Sequence, residues 1–374
     1  MKFVINRSKL LDAMQIIIGA SERIHPMAIL LNVMLKTEQN TLYMCCSNTE
    51  LEISCAIPLV NTNNIDGEIT IPAKNLLDIC RSLPENSDIA FSQSKNDCIV
   101  QSGACRFVLA TLPAEEFPRI KWQESEAQTT INIAAATLKK IIDSTAFAIA
   151  QDDARYYLNG LLLEIKNNTL WSVATDGHRL ALDGDNTPVT NENLPPRILI
   201  PRKSVFELSK LLSRSQTVQL QMTERYLRVI GENYIFITKL IESKYPSYEK
   251  AIPNDCDKKI ILQREAIKSA FQRVTLLANS NAFKTLQMQL SQNQLKIVST
   301  NRQAPAEETL EIVYDGPNLN INFNATYLIE ALEHLTTESV VFSLKDSISS
   351  LLIEEKTTEK KPDNKLQVIM PLKN

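Results

Sequence analysis

Ile71-Pro72-Ala73-Lys74 opens a helix-like pattern, and the same opening returns at Ile200-Pro201-Arg202-Lys203, an offset of 129. A third version, Phe323-Asn324-Ala325-Thr326, follows at a further offset of 123. Proline suits the first helical position because its fixed φ matches the helix and its missing N–H has no partner there. In the third version Asn324 is expected to cap the helix instead, its side-chain oxygen accepting from the first turn. A recurrence at one spacing decides the fold if other features keep the same period.

Three others do. Helix-like segments around Leu10, Leu138 and Ile267 stand at offsets of 128 and 129. Between the helices the apolar pattern changes to period two. Leu42, Leu170 and Leu295, spaced 128 and 125 apart, follow the polar pairs Gln39-Asn40, Asn167-Asn168 and Gln292-Asn293, which read as hairpin turns. Phe117-Pro118 is echoed by Tyr245-Pro246, again at an offset of 128. Each unit therefore reads as helix, strands, helix, strands. The expected fold class is α+β, with three similar domains, each of two helices packed on antiparallel sheets. A length of 374 residues accommodates them. Boundaries are expected near Glu124-Ser125 and Pro253-Asn254-Asp255, giving domains 1–124, 125–253 and 254–374.

Composition removes several function classes. Hydrophobic residues at 44% and charged residues at 22% fit packed globular domains. No apolar run approaches the roughly 18 residues of a membrane span, and the start lacks a signal-peptide core. A cytoplasmic protein is expected. Its seven cysteines include the adjacent Cys45-Cys46 but no CxxC pair, so they read as buried reduced thiols, not zinc ligands. Eight glycines form neither GxGxxG nor GxxxxGK[ST]. His25, His178 and His334 are the only histidines. No cofactor, metal or membrane partner is expected.

The net charge of −3 argues against a basic nucleic-acid coat, but charge is unevenly placed. The six repeated helices, taken as 8–20, 73–83, 134–150, 202–214, 263–278 and 324–336, carry twelve basic and seven acidic residues. The surplus of five leaves −8 on the remainder. A basic helix face attracts a polyanion through phosphate contacts that carry no sequence information. On charge alone, a solvated face without a partner is an equal reading.

Whole stretches also resemble a known family. Met1-Lys2-Phe3, Ile71–Pro84, Thr111–Pro118, Arg155-Tyr156-Tyr157-Leu158-Asn159-Gly160, Ala174-Thr175-Asp176-Gly177-His178-Arg179-Leu180-Ala181 and Val368–Leu372 are similar to the bacterial DNA polymerase III beta subunits, the sliding clamps. The two central stretches are specific; IPAK alone is not. The resemblance runs through essentially the whole chain. It implies a head-to-tail dimer forming a six-domain ring, helices lining the hole, and no enzymatic activity. Such a ring encircles duplex DNA without sequence specificity and tethers the replicative polymerase, the clamp loader and other peptide-motif proteins.

The resemblance also implies sites. A partner-peptide groove is expected from Leu158, Thr175, Gly177, His178, Arg179, Leu180, Pro246, Lys250, Ala251, Tyr327, Ser350, Val368, Met370, Pro371 and Leu372. Lys250 and Ala251 depart from the arginine and larger aliphatic usual in the family. DNA contacts are expected from Arg23, Gln151, Arg155, Tyr156 and Tyr157, joined by the helix cations Lys74, Arg81, Arg202 and Lys203. Ile24 stands where the family often has arginine, and the two tyrosines read also as core residues. At the subunit joint Arg106, Phe107 and Leu109 are expected to meet Leu276 and Leu277 of the other copy, with Lys74 facing Glu307 and Glu308. Phe107 and Leu109 read alternatively as core of their own domain.

Two competing readings remain. A clamp-like variant with an inhibitory or resistance role would share the fold but not the partners. A hydrolase with His178 as base and Asp176 as its orienting carboxylate lacks a recognisable nucleophile or metal, and Asp176-Gly177 reads as a turn.

Overall fold

The computed structural model describes residues 1–22, 24–60, 64–123, 129–186, 197–277, 284–299, 305–356 and 365–372. The first third of the chain runs β1 (Lys2–Asn6), α1 (Arg7–Ile17), β2 (Asn32–Glu38), β3 (Thr41–Ser47), β4 (Leu51–Pro58), β5 (Gly67–Pro72), α2 (Ala73–Ser82), β6 (Asp88–Ser94), β7 (Asp97–Ser102) and β8 (Cys105–Ala110). The middle third repeats that order with β9 (Thr129–Ala134), α3 (Ala135–Asp143), β10 (Gly160–Lys166), β11 (Thr169–Thr175), β12 (Arg179–Asp185), β13 (Arg197–Pro201), α4 (Arg202–Leu212), β14 (Thr217–Met222), β15 (Tyr226–Ile230) and β16 (Ile235–Lys239). The last third repeats it again. It has β17 (Lys258–Gln263), α5 (Arg264–Val274), β18 (Thr285–Ser291), β19 (Gln294–Ser299), β20 (Glu307–Glu311), β21 (Leu319–Asn324), α6 (Ala325–Glu333), β22 (Ser339–Leu344), β23 (Leu351–Glu355) and β24 (Leu366–Ile369).

The turn chemistry read from sequence is what the backbone uses. Gln39 and Asn40 have φ of +47° and +64°, Asn167 and Asn168 +55° and +58°, and Asn293 +56°. Two consecutive left-handed residues match the twist of a tight hairpin, and asparagine tolerates that region best among residues with a side chain. Asn324 caps α6, its side chain accepting from Thr326 N at 3.0 Å. Pro72 and Pro201 end the preceding strands, one residue before their helices begin.

The helices are shorter than expected. Most differ by a few residues, but the span 134–150 is helical only over Ala135–Asp143, with a separate short turn at Ala146–Ala148. The hydroxyls of Ser144 and Thr145 bond back to the Ile141 carbonyl at 3.0 and 2.9 Å. Such local bonds compete with the next helical turn.

Strand order shows how each repeat is assembled. Each contributes two four-stranded antiparallel sets. In two places a set from one repeat continues into a set from the next. β4 pairs with β16, giving the sheet β5-β2-β3-β4-β16-β15-β14-β9. β12 pairs with β24, giving β13-β10-β11-β12-β24-β23-β22-β17. The sets β1-β6-β7-β8 and β20-β19-β18-β21 remain four-stranded, with β8 and β20 as edges. By compactness the chain forms two units, Met1–Leu138 with Phe206–Leu240, and Lys139–Val189 with Pro196–Val205 and Ile241–Asn374. The middle repeat is thus divided between them.

Helix faces cover the sheets. In the last repeat Ile267, Phe271, Leu328 and Leu332 bury against Met288, Ile297, Phe323 and Phe342. In the first, Phe3 and Phe91 stack with ring centroids 4.5 Å apart. Five cysteines are buried, but Cys105 is exposed and Cys256 half-exposed, which corrects the expectation for those two. Burial pushes the Cys55 and Cys80 thiols up to about 12, so they are protonated at neutral pH. Among the described residues no helix is long and apolar enough to cross a membrane.

Candidate functional site

The turn joining β11 to β12 carries Asp176-Gly177-His178. Asp176 Oδ1 accepts from the backbone N–H groups of His178 at 2.9 Å and Arg179 at 3.0 Å. Its Oδ2 accepts from Arg179 Nε at 3.1 Å. Thr175 Oγ1 donates to the Arg179 carbonyl at 2.5 Å and accepts from Gly177 N at 3.1 Å. Gly177 has φ +87°, a region that L side chains rarely adopt. Asp176 therefore builds the turn and does not orient an imidazole. His178 is exposed and lies near the Tyr327 ring, centroids 6.4 Å apart. Among the described residues no group of histidine, cysteine and carboxylate side chains could hold a metal.

Beyond the turn lies the seam of the second large sheet. Leu180 pairs with Val368 and Arg179 with Ile369. The chain then runs on, Met370 N donating to the His178 carbonyl at 2.9 Å and Leu372 N to the Asn322 carbonyl at 2.8 Å. Leu180 and Val368 belong to an apolar cluster with Leu162, Val173, Tyr245, Tyr248 and Leu352, against which Tyr157, Trp171 and Ala251 pack. Pro246, Lys250 and Met370 are exposed around it, while Ser350, Pro371 and Leu372 are half-buried. Segments distant in sequence, 175–180, 245–251 and 368–372, are thus brought together within one unit. Leu158 is buried beside Tyr157.

Arg179, expected among the groove residues, turns its side chain inward. Its side chain is 9% exposed and pairs with both Asp176 and Glu330. It donates to the Phe147 carbonyl at 2.7 Å and lies over the rings of Phe147 and Tyr327, at 5.1 and 4.5 Å. It organises the turn from within, its guanidinium turned toward Asp176, Glu330 and the two rings.

The candidate nucleic-acid contacts fall in both units. Lys74 and Arg81 are exposed on α2, Arg81 with Asp78 at 3.9 Å. In the other unit Gln151, Arg155, Tyr156 and Lys203 are exposed. Arg155 clasps Asp153 at 3.0 and 2.9 Å and holds its carboxyl down at about 2. Arg202 is half-buried and donates to the Ile149 carbonyl at 2.7 Å, and Tyr157 packs on the apolar cluster. Arg23 lies outside the described residues. The helix acids Asp12, Asp143, Glu207 and Glu265 pair with cations of their own unit. Lys9, Lys74 and Lys140 stand exposed on the helices.

Most of the remaining candidates sit on the edge strands β8 and β20. On β8, Arg106 is exposed, Phe107 half-buried and Leu109 buried, so Leu109 turns into its own domain. Val108, missed in the sequence, is 50% exposed. An edge-strand valine reads in sequence like any core valine, so alternation alone gave no signal. Leu276 and Leu277 follow α5 and are 76% and 64% exposed. Glu308 is engaged in its own chain by Arg273, at 3.0 and 2.6 Å, and Glu307 by Lys296 at 2.7 Å.

Family models match in three consecutive stretches. The N-terminal domain of the DNA polymerase III beta subunit matches residues 1–121, its central domain 132–247 and its C-terminal domain 249–373. A beta sliding clamp of Pseudomonas putida is 37% identical over 375 residues, covering all of both chains. The crystal structure of the Pseudomonas aeruginosa DNA polymerase III subunit beta is 36% identical, with a TM-score of 0.93 over the full length of both chains. A structure of the sliding clamp from that organism bound to griselimycin gives 0.92 at 36% identity, again over both full chains.

Proposed function

Because the chain belongs to the DNA polymerase III beta subunit family and is a sliding clamp, not an enzyme, we propose how its own residues do a clamp's work. Two copies close head to tail into a ring of six domains around duplex DNA. The groove at the β12–β24 seam then holds short peptides of the replicative polymerase, the clamp loader and other replication and repair proteins.

The observation that carries the ring is the seam pattern. Strand β4 pairs with β16 and β12 with β24, while β20 and β8 are left as edges. The next pair in that series is β20 with β8 of a second copy. Matching the strand ladders of the repeats puts Phe107 where Phe236 stands and Ala306 where Ile53 stands. Phe236 pairs with Ile53 at the first seam, so Phe107 is set opposite Ala306 and Arg106 opposite Glu307. A heterologous contact of this kind closes when the rotation per copy allows it. Val108, Leu276 and Leu277 supply the apolar part of the joint, as expected at the centre of a stable interface.

Function then follows from topology. A closed ring leaves DNA only by opening, so weak phosphate contacts suffice, and these permit sliding. Lys74, Arg81, Gln151, Arg155, Tyr156 and Lys203 supply them, with Arg202 and Tyr157 mainly supporting. A polymerase held by its tail in the groove stays near its template, a gain in effective concentration without new chemistry. Apolar anchors dominate such binding. Pro246, Ala251, Met370 and Leu372 are suited to receive them, and Lys250 and His178 to line the rim. Synthesis on a primed circular template tests this reading. The protein, with a clamp loader and polymerase, is expected to lengthen products per binding event. Unchanged products would contradict it, and shortened ones would favour an inhibitory role.

A further inference from the structure

We propose that Glu164 is a positioning residue for the partner groove, fixing Tyr248 and through it the segment that carries Pro246, Lys250 and Ala251. The proposal rests on the groove reading above.

Glu164 lies on β10, 5% exposed, and its carboxylate is fully engaged. Tyr248 Oη donates to one oxygen at 2.8 Å and Arg197 Nε to the other at 2.8 Å. Arg197 is its cross-strand neighbour on β13, and Trp171 its neighbour on β11. An aliphatic side chain would fill this place without the desolvation penalty of a buried carboxylate. What the carboxylate adds is direction, since it gives the Tyr248 phenol one fixed acceptor. Burial pushes that phenol up, so it remains a donor at every physiological pH.

The segment needs such an anchor. Residues 245–252 bond to themselves through Lys250 N to Ser247 O and Ile252 N to Glu249 O. Glu249 meets Lys166 and Arg197 at the longer distances of 3.5 and 3.7 Å, through partly exposed side chains. The phenol–carboxylate bond is short and buried, and the ring it holds sits in the cluster with Leu180 and Val368. It therefore sets the height of the groove wall above the sheet. A related device recurs one repeat earlier. Glu52, 1% exposed on β4, accepts from Arg119 Nε at 3.1 Å and Ile120 N at 2.9 Å. That segment follows Phe117-Pro118, the counterpart of Tyr245-Pro246. Two repeats thus use a buried sheet carboxylate, on different strands, to hold the chain that follows an aromatic-proline pair.

The test is fluorescence anisotropy on the intact protein with a labelled peptide from the tail of the replicative polymerase. Tyr248→Phe keeps the ring and loses the bond, and is expected to weaken binding about 5-fold. Glu164→Leu, which also releases Arg197, should lose at least as much, and the double variant should be no weaker than Glu164→Leu alone, since the phenol–carboxylate bond is already gone there. Glu164→Gln, whose amide oxygen can still accept from the phenol while the partly exposed Arg197 turns to Glu249, should lose clearly less than Glu164→Leu. Ile297→Val, in the core of the last repeat, lowers Tm and serves as control. Wild-type affinity in Tyr248→Phe and Glu164→Leu would overturn the proposal, as would an equal loss in Ile297→Val. If the wild-type protein supports primed-circle synthesis yet binds no peptide, or if deleting 370–374 leaves binding intact, the groove reading fails and this proposal with it. If the deletion abolishes binding while Tyr248→Phe does not change it, only this proposal fails.

Discussion

A Cβ placed on Gly177 would lie 2.8 Å from Arg155 Nη2, on a backbone at φ +87°. Gly177→Ala therefore strains the turn that carries His178 and Arg179, at a cost of about 1 kcal/mol or more. Thermal melting should register that loss, and anisotropy should show weaker peptide binding; a variant unchanged in both would mean that the turn relaxes freely. His178→Ala should weaken binding only modestly, because the imidazole is exposed and anchors nothing. Deleting residues 370–374 removes Met370 and Leu372 from the proposed groove. It should abolish peptide binding while sedimentation still reports the dimer. Full-strength binding by a folded deletion would place the partner elsewhere. The ATDGHRLA stretch was legible as a turn from its Asp-Gly pair. That Arg179 faces inward was not, because its partners Phe147 and Glu330 come from elements that sequence spacing does not connect. Glu164 escaped for a like reason, its acceptor role depending on the distant Tyr248.

Strand edges carry the next level. An exposed edge with apolar side chains invites pairing with another chain. β8 offers Val108 and Phe107, and Leu276 and Leu277 stand beyond α5, whereas Leu310 of β20 packs on its own core. Joint replacement of Leu276 and Leu277 by alanine should give monomers, each leucine being worth roughly 2–5 kcal/mol if fully buried at the joint. Val108→Lys should do the same by burying a charge. Analytical ultracentrifugation reads both, and an unchanged dimer in both would remove these side chains from the joint. The intrachain Arg273–Glu308 and Lys296–Glu307 pairs leave less acid for Lys74 than expected. In the proposed joint the apolar residues then carry more of the contact. Helix and hairpin positions were legible because Pro72, Pro201, Asn324 and the Asn turns act locally. Helix ends were less so, since Ser144 and Thr145 stop α3 through hydroxyl bonds that hydrophobic periodicity ignores.

At the scale of the whole chain, threefold repetition was legible because one period, close to a third of the chain, is kept by several independent features. The merging of sheets across repeats was not. Pairing β4 with β16 or β12 with β24 joins strands from different thirds of the chain, and each strand's own alternation looks the same whether its edge is open or covered. Those seams make the central claim specific: the ring is held on DNA by closure, and the helix cations only guide it. The direct measurement is retention on DNA as salt rises, with the protein loaded on closed circular duplex and compared with the same DNA linearised. Phosphate contacts alone weaken steeply with salt on either form. The circular complex is expected to survive salt that strips the linear one, and cutting the circle to release the protein at once. Equal loss from both forms would contradict it.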